Sequence, residues 1–253
     1  MKKFDFFSGI QQTEVQVDSF KFNIPVFYRD MMNLDVFILA PLNKLKTILP
    51  SGRMHPYRVT PWHGLVSISA FEYRDTDIGP YNEVGISIPF VLDNVSPVFT
   101  GLLRKPPEVP LVYIYKLPVN TEIARVTGVE GANFPKFLAE ISFDNGDKWL
   151  SCKVEAEGKS ILTMSVRKTQ LKPYPRNHWF PVTFWQDRLL RTEFNLSECE
   201  AGLSKNQSDF SLELGNHPVG LALKALNLGR LLLYQYCPIR QALLMPVCES
   251  YCV

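Results

Sequence analysis

Residues 120–143 read NTEIARVTGVEGANFPKFLAEISF. Asn120 is a residue type that caps a helix N-terminus and Gly128 one that stops a helix, so the stretch predicts a short helix over 121–126. A turn follows, and 138–143 reads as a strand. Downstream, Asp144-Asn145-Gly146-Asp147 carries the Asn-Gly pair that favours a tight hairpin. The chain then returns over 148–155, turns again at Glu157-Gly158-Lys159 and runs on over 160–168, which predicts a three-stranded meander. Between helix and meander stands Lys136, preceded by Phe134 and Pro135 and followed by Phe137 and Leu138. Burial among such neighbours penalises the charged form of an amine. A neutral amine is a nucleophile towards ketones and aldehydes and holds a carbonyl carbon as an iminium. The competing reading is a lysine at a strand start that snorkels to water.

Working outward, strand patterns dominate. Upstream, 23–28 and 34–40 are rich in Val, Ile and Phe and read as a hairpin around residues 29–33, with a short helix from Pro41 closed by Pro50-Ser51-Gly52. Residues 65–73 alternate, placing Val66, Ile68 and Ala70 on one face and Ser67 and Ser69 on the other, as in a half-buried strand. A loop precedes a strand over 84–90, and alternation sets Tyr81 and Glu83 side by side. Proline-rich 105–110 leads into a short strand at 111–116. Residues 172–185 read as a loop packing its aromatic side chains on the rest of the fold. Strands are expected over 184–194 and 209–213, and a helix over 218–226. Residues 231–236 are a buried strand or a helix end, which periodicity does not separate. His55 and His63 have no partners at metal-ligand spacing and read as structural. Edge exposure of Glu83 is the plain alternative to a functional role.

Composition limits the class. The 253 residues are 46% hydrophobic and 12% aromatic with scattered prolines and glycines, which suits one large strand-rich domain spanning 1–253. Basic and acidic residues number 27 and 25 and are interspersed, so nothing marks a partner as nucleic acid or an anionic membrane. No apolar run approaches the roughly eighteen residues of a membrane span. The N-terminus lacks the apolar core of a signal peptide, and five cysteines without paired spacing fit reduced thiols, so a cytoplasmic location is expected. Cys248 and Cys252 lack the histidines that a zinc site would need.

Two motifs carry a family resemblance: residues 78–84, IGPYNEV, and residues 122–136, EIARVTGVEGANFPK. They resemble the acetoacetate decarboxylase family, in which an aromatic-Pro-Lys motif holds a Schiff-base lysine and a Gly-x-Tyr-x-Glu segment holds an active-site glutamate; acetoacetate decarboxylase is itself a standard instance of a lysine activated in this way. The resemblance implies catalytic roles for Lys136 and Glu83, with Tyr81 and Phe134 beside them. It also implies a mainly β (α+β) fold, a closed or cone-shaped barrel with a few peripheral helices, and assembly as a homo-oligomer. The implied chemistry is decarboxylation of a β-keto acid without metal or organic cofactor, on a small-molecule keto substrate. Three positions depart from the family pattern. Phe137 stands where a second lysine follows the first. Aligned without gaps, the arginine for the substrate carboxylate falls on Leu39, with Arg29 as a possible substitute, and a second glutamate falls on Ile68. Together they imply a more apolar pocket. The same iminium chemistry also serves aldol and dehydration reactions, and a non-catalytic small-molecule binder is the reading from another class.

Overall fold

The computed structural model describes residues 5–93 and 111–252; the proline-rich stretch at 105–110 lies outside them. An N-terminal hairpin joins β1 (Thr13–Val17) to β2 (Phe20–Ile24). Four long strands follow: β3 (Val26–Pro41), β4 (His63–Thr76), β5 (Tyr81–Leu92) and β6 (Leu111–Val119), each antiparallel to the next. A one-turn helix, α1 (Leu42–Lys46), lies between β3 and β4. Helix α2 (Glu122–Ala132) leads into a three-residue strand, β7 (Lys136–Leu138), parallel to β6. The meander β8 (Glu140–Asn145), β9 (Trp149–Ala156) and β10 (Lys159–Arg167) comes next. Then come β11 (Asn177–Trp185), β12 (Phe194–Leu196), β13 (Phe210–Leu214), α3 (Pro218–Ala225) and β14 (Leu231–Leu244).

Seven strands close into a barrel in the order β14-β3-β4-β5-β6-β11-β12, the last pairing back onto β14. The fold is thus mostly β, with three helices among the described residues. None of these is long and apolar enough to cross a membrane. A second sheet, β13-β10-β9-β8, packs on one flank of the barrel. Alternation decides what lies between them. Val36, Ile38, Val66, Ile68, Val84 and Ile86 point one way from β3, β4 and β5, and meet Leu150, Val154, Leu162 and Met164 of the second sheet in one core. Each such side chain contributes on the order of 1.5–3 kcal/mol by leaving water.

Several expectations change. The hairpin over 23–28 and 34–40 is replaced by one sixteen-residue strand, β3. Its middle holds no glycine or proline to turn on, and Met31 and Met32 are fully buried. Register shifts at Tyr28, Asp30 and Met31 bend the strand where a turn was expected. The serine face of β4 is not solvated: Ser67 and Ser69 are buried like Val66 and Ile68, because that face lines the barrel interior. Residues 172–185 are not a loop. Most of them form β11, which pairs in parallel with β6 and closes the cylinder. Residues 231–236 begin a strand that runs on to Leu244.

Helix α2 continues through Gly128, and it ends at Asn133, which caps it in the left-handed conformation with φ of 49°. Asparagine tolerates that region, so it can do a glycine's work at a helix end. Lys136 also stands apart from the meander: β7 belongs to the barrel sheet, and β8 crosses to the other.

Candidate active site

Lys136 is held from both sides. Its strand pairs with β6, Leu117 opposite Lys136, and the Leu117 amide donates to the Pro135 carbonyl at 3.2 Å. The end of α2 is tied to β11, where Thr183 Oγ1 donates to the Ala132 carbonyl at 2.7 Å and Asn133 Nδ2 to the Phe184 carbonyl at 2.9 Å. Helix and strand thereby fix the direction of the lysine stem. That stem crosses α2 at Gly128, where a Cβ would lie 2.5 Å from Lys136 Cε and 2.6 Å from Cδ. Glycine at 128 is therefore clearance for the lysine. Its role as a helix stop, the sequence-based expectation, is taken by Asn133.

At the tip, Lys136 Nζ lies 2.8 Å from Glu83 Oε2, with the two side chains only 6% and 9% exposed. Burial of both ions together requires such a pairing, because either charge alone would be costly there. Three tyrosines surround the pair. Tyr73 donates its hydroxyl to Glu83 Oε1 at 3.4 Å, and the Tyr28 and Tyr81 hydroxyls are 3.3 Å apart. Burial raises all three phenols above their ordinary range, and the neighbouring Glu83 charge adds to this. They therefore remain neutral donors at physiological pH. The ammonium also lies over two rings, 5.5 Å from the Tyr81 centroid and 5.9 Å from that of Phe134.

The pair opens on a cavity of about 80 Å³ inside the barrel. Every barrel strand contributes to its wall, including Tyr28 and Asp35 from β3, Ser69 and Tyr73 from β4, Leu117 from β6 and Trp179 from β11. Asp35 is a second carboxyl in this wall. Burial raises its pKa, while hydrogen bonding with Ser69, the charge of Arg240 and Asn33 oppose the shift. Among the described residues Lys136 is the one basic residue lining the cavity.

Of the residues singled out from sequence, Lys136, Glu83 and Phe134 line the cavity, and Tyr81 packs behind it. The other four are elsewhere. Phe137 alternates away from Lys136 and stacks on His217, 6.2 Å between centroids, against the core between the sheets. Ile68 lies in that core, one residue from the inward-facing Ser69. Leu39 sits opposite Leu65, with its carbonyl accepting from Gly229. Arg29 is outside, paired with Asp77 at 2.5 Å. The apolar quality expected of the pocket comes instead from Phe71, Ile114, Leu117, Trp179 and Phe194. Asp35, Tyr28, Tyr73 and Ser69 were not foreseen. The alternation of β4 did set Ser69 on the face opposite Ile68, but it read the strand as half-buried, and the reading of 34–40 as a hairpin arm singled out no face for Asp35.

The comparisons agree with this architecture. The family model described as acetoacetate decarboxylase matches residues 21–186. No curated protein matches the chain in sequence. Among solved structures, acetoacetate decarboxylase from Legionella pneumophila is similar at 15% identity, with 90% of this chain and 89% of that one covered and a TM-score of 0.64. The enduracididine biosynthesis enzyme MppR, complexed with the condensation product of pyruvate and imidazole 4-carboxaldehyde, aligns at 11% identity over 88% of this chain and 89% of its own, with a TM-score of 0.58. An acetoacetate decarboxylase-like enzyme from Sphingomonas wittichii RW1 aligns at 11% identity over 89% and 94%, with a TM-score of 0.52. At these identities the likeness is one of fold; the match of residues 21–186 is what shows that the chain belongs to the acetoacetate decarboxylase family.

Proposed function

We propose that the chain is a Schiff-base enzyme, a carbon–carbon lyase that uses Lys136 to form an iminium with a ketone, and that decarboxylation of a β-keto acid is its first reading. The observation that carries this is the buried Lys136–Glu83 pair at 2.8 Å, facing a cavity inside the barrel. Glu83 takes the ammonium proton, and the neutral amine adds to the ketone carbon. Loss of water leaves the iminium. The bond to the carboxylate then breaks, its electron pair passes to the iminium nitrogen, and carbon dioxide departs. The resulting enamine is protonated at carbon, with Glu83 the nearest acid, and water hydrolyses the new iminium to free the product and the lysine. A carboxyl within hydrogen-bond reach of the amine suits both proton transfers.

A second reading, aldol or dehydration chemistry through the same iminium, is favoured by the wall itself. Beyond Lys136 the described lining offers no cation for a substrate carboxylate, and it presents the carboxyl of Asp35. MppR, similar in fold, holds a condensation product of pyruvate and an aldehyde, which supports keeping this reading beside the first.

Borohydride reduction in the presence of a panel of keto acids, ketones and aldehydes tests both. Peptide mass spectrometry is expected to find the reduced adduct on Lys136, and Lys136→Ala is expected to give none. Gas and product analysis on the trapped substrates then separates decarboxylation from condensation. No adduct with any member at neutral or raised pH would leave a non-catalytic binder as the better description.

A further inference from the structure

A second hollow lies on the other side of the lysine. A groove of about 230 Å³ runs between the β1–β2 hairpin, helix α2 and the end of β14. Tyr28, Phe134, Lys136 and Leu244 line both this groove and the barrel cavity, so the lysine side chain stands in the partition between them. The two spaces differ in chemistry. The cavity holds Glu83, Asp35 and serines; the groove is walled by Val15, Val17, Phe22 and Ile24 of the hairpin and by Leu244 and Met245 opposite. Among its described lining residues Lys136 is the one charged side chain.

The floor is helical and has no side chain at two points. Gly128 gives way to the lysine stem, whereas at Gly131 an added Cβ would meet nothing within 4 Å. Nothing at Gly131 is needed to let a neighbour pass, so its bareness widens the groove itself. A trough whose described lining carries no charge beyond the amine where it begins matches a hydrocarbon chain attached to the carbonyl carbon.

We propose that this groove binds the apolar tail of the substrate, a carbonyl compound with an extended hydrocarbon substituent whose reacting head lies in the cavity beside Glu83. The proposal rests on the Schiff-base reading for the placement of the carbonyl, and it names the substrate class. Burial of a chain in the groove lowers the concentration needed for adduct formation with each methylene, by roughly twofold to fourfold, the upper figure corresponding to full burial of a methylene at about 0.8 kcal/mol.

The experiment measures half-saturation for borohydride trapping at Lys136 with methyl ketones of increasing chain length, on the natural chain, on Gly131→Leu and on Val17→Asp. In parallel, calorimetry follows binding of the matching secondary alcohols, which cannot form an iminium. Gly131→Leu fills the trough from the helix, and leucine suits a helix better than glycine; Val17→Asp places a charge in the facing wall and serves if the first variant folds poorly. The expected result is tighter trapping with each methylene in the natural chain and a fall of about tenfold or more in the long-to-short selectivity in the variants, about 1.4 kcal/mol per factor of ten. Equal trapping of short and long ketones, or a gain that survives both substitutions, would overturn the groove while leaving the Schiff base standing. If no ketone is trapped, the Schiff-base reading fails by itself and the alcohols decide the groove: binding that grows with chain length and is lost in the variants upholds it as an apolar site, and absence of binding overturns it.

Discussion

The two faces of β4 and β5 are equally buried and do opposite things. On one, Val66, Ile68, Val84 and Ile86 share one buried core with the second sheet; on the other, Ser69, Tyr73, Glu83 and Gly85 surround a space. Residues one step apart along the same strand therefore divide between holding the fold together and holding a reactive pair. The comparison teaches that burial alone does not distinguish core from site. What distinguishes them is whether polar atoms find each other across a void or apolar atoms fill it.

Glu83→Gln gives the sharpest expected contrast. It keeps the shape of the inner face, removes its proton carrier and leaves the buried Lys136 charge without its partner, so turnover of a substrate identified by trapping is expected to fall by about 10²–10⁴, at a stability cost of about 3–5 kcal/mol. A loss below tenfold in single-turnover kinetics would move the proton chemistry to another group, such as Asp35, the other carboxyl in the wall. On the outer face, Ile68→Ala is expected to cost about 2–5 kcal/mol in denaturant unfolding and to leave Lys136 labelling of the folded fraction intact. Equal damage to labelling would show that the two faces are coupled.

Between these stands Gly128→Ala. The new methyl group collides with the flexible end of a side chain rather than with backbone, so the helix itself loses nothing by the gain of a methyl group, while parting the buried Lys136–Glu83 pair costs stability. Adduct formation at Lys136 is nevertheless expected to drop by tenfold or more, because the amine moves off Glu83. Labelling at the natural rate would mean that the stem has another course.

The smallest effect is one of pH. Burial holds the Asp35 carboxyl above the ordinary carboxylate range against hydrogen bonding with Ser69 and the charge of Arg240. The folded chain thus binds this proton more tightly than the unfolded one. Its contribution is complete below the unfolded carboxyl's pKa and is lost as pH rises through the raised folded value. Asp35→Asn is expected to flatten that part of the curve of urea midpoint against pH, and an unchanged slope would assign it to other groups.

How far the sequence reaches depends on whether a signal is local. Lys136 after Phe134-Pro135, Glu83 after Tyr81, and the Asn145-Gly146 hairpin are short-range patterns: the first two mark side chains that meet at 2.8 Å, and the third marks a hairpin that forms. Barrel closure was less legible, since it rests on β11 pairing with β6 across some seventy residues of chain, as Phe180 opposite Leu111 illustrates. Nothing near Phe180 states its partner. Leu39 and Ile68 show a different limit: Ile68 is one residue from the inward-facing Ser69, and in a strand one residue is the whole difference between the two faces. Gly128 shows a third, because a glycine in a helix invites a reading from its own backbone, while its reason lies in a side chain eight positions on.

The barrel is closed by its shortest member. β12 contributes three residues, Phe194 to Leu196, and joins β11 on one side and β14 on the other through three residue pairs each. The β6–β11 joint is as brief, at three residue pairs, whereas β3 runs beside β4 for thirteen. Local opening starts where few hydrogen bonds and contacts must be given up, so the cylinder behaves as a hoop whose weak stretch runs from β6 through β11 and β12 to β14. Phe194 and Leu196 are also cavity wall. The weak stretch of the hoop and the lining of the chamber share residues, so whatever fills the chamber also clamps the seam.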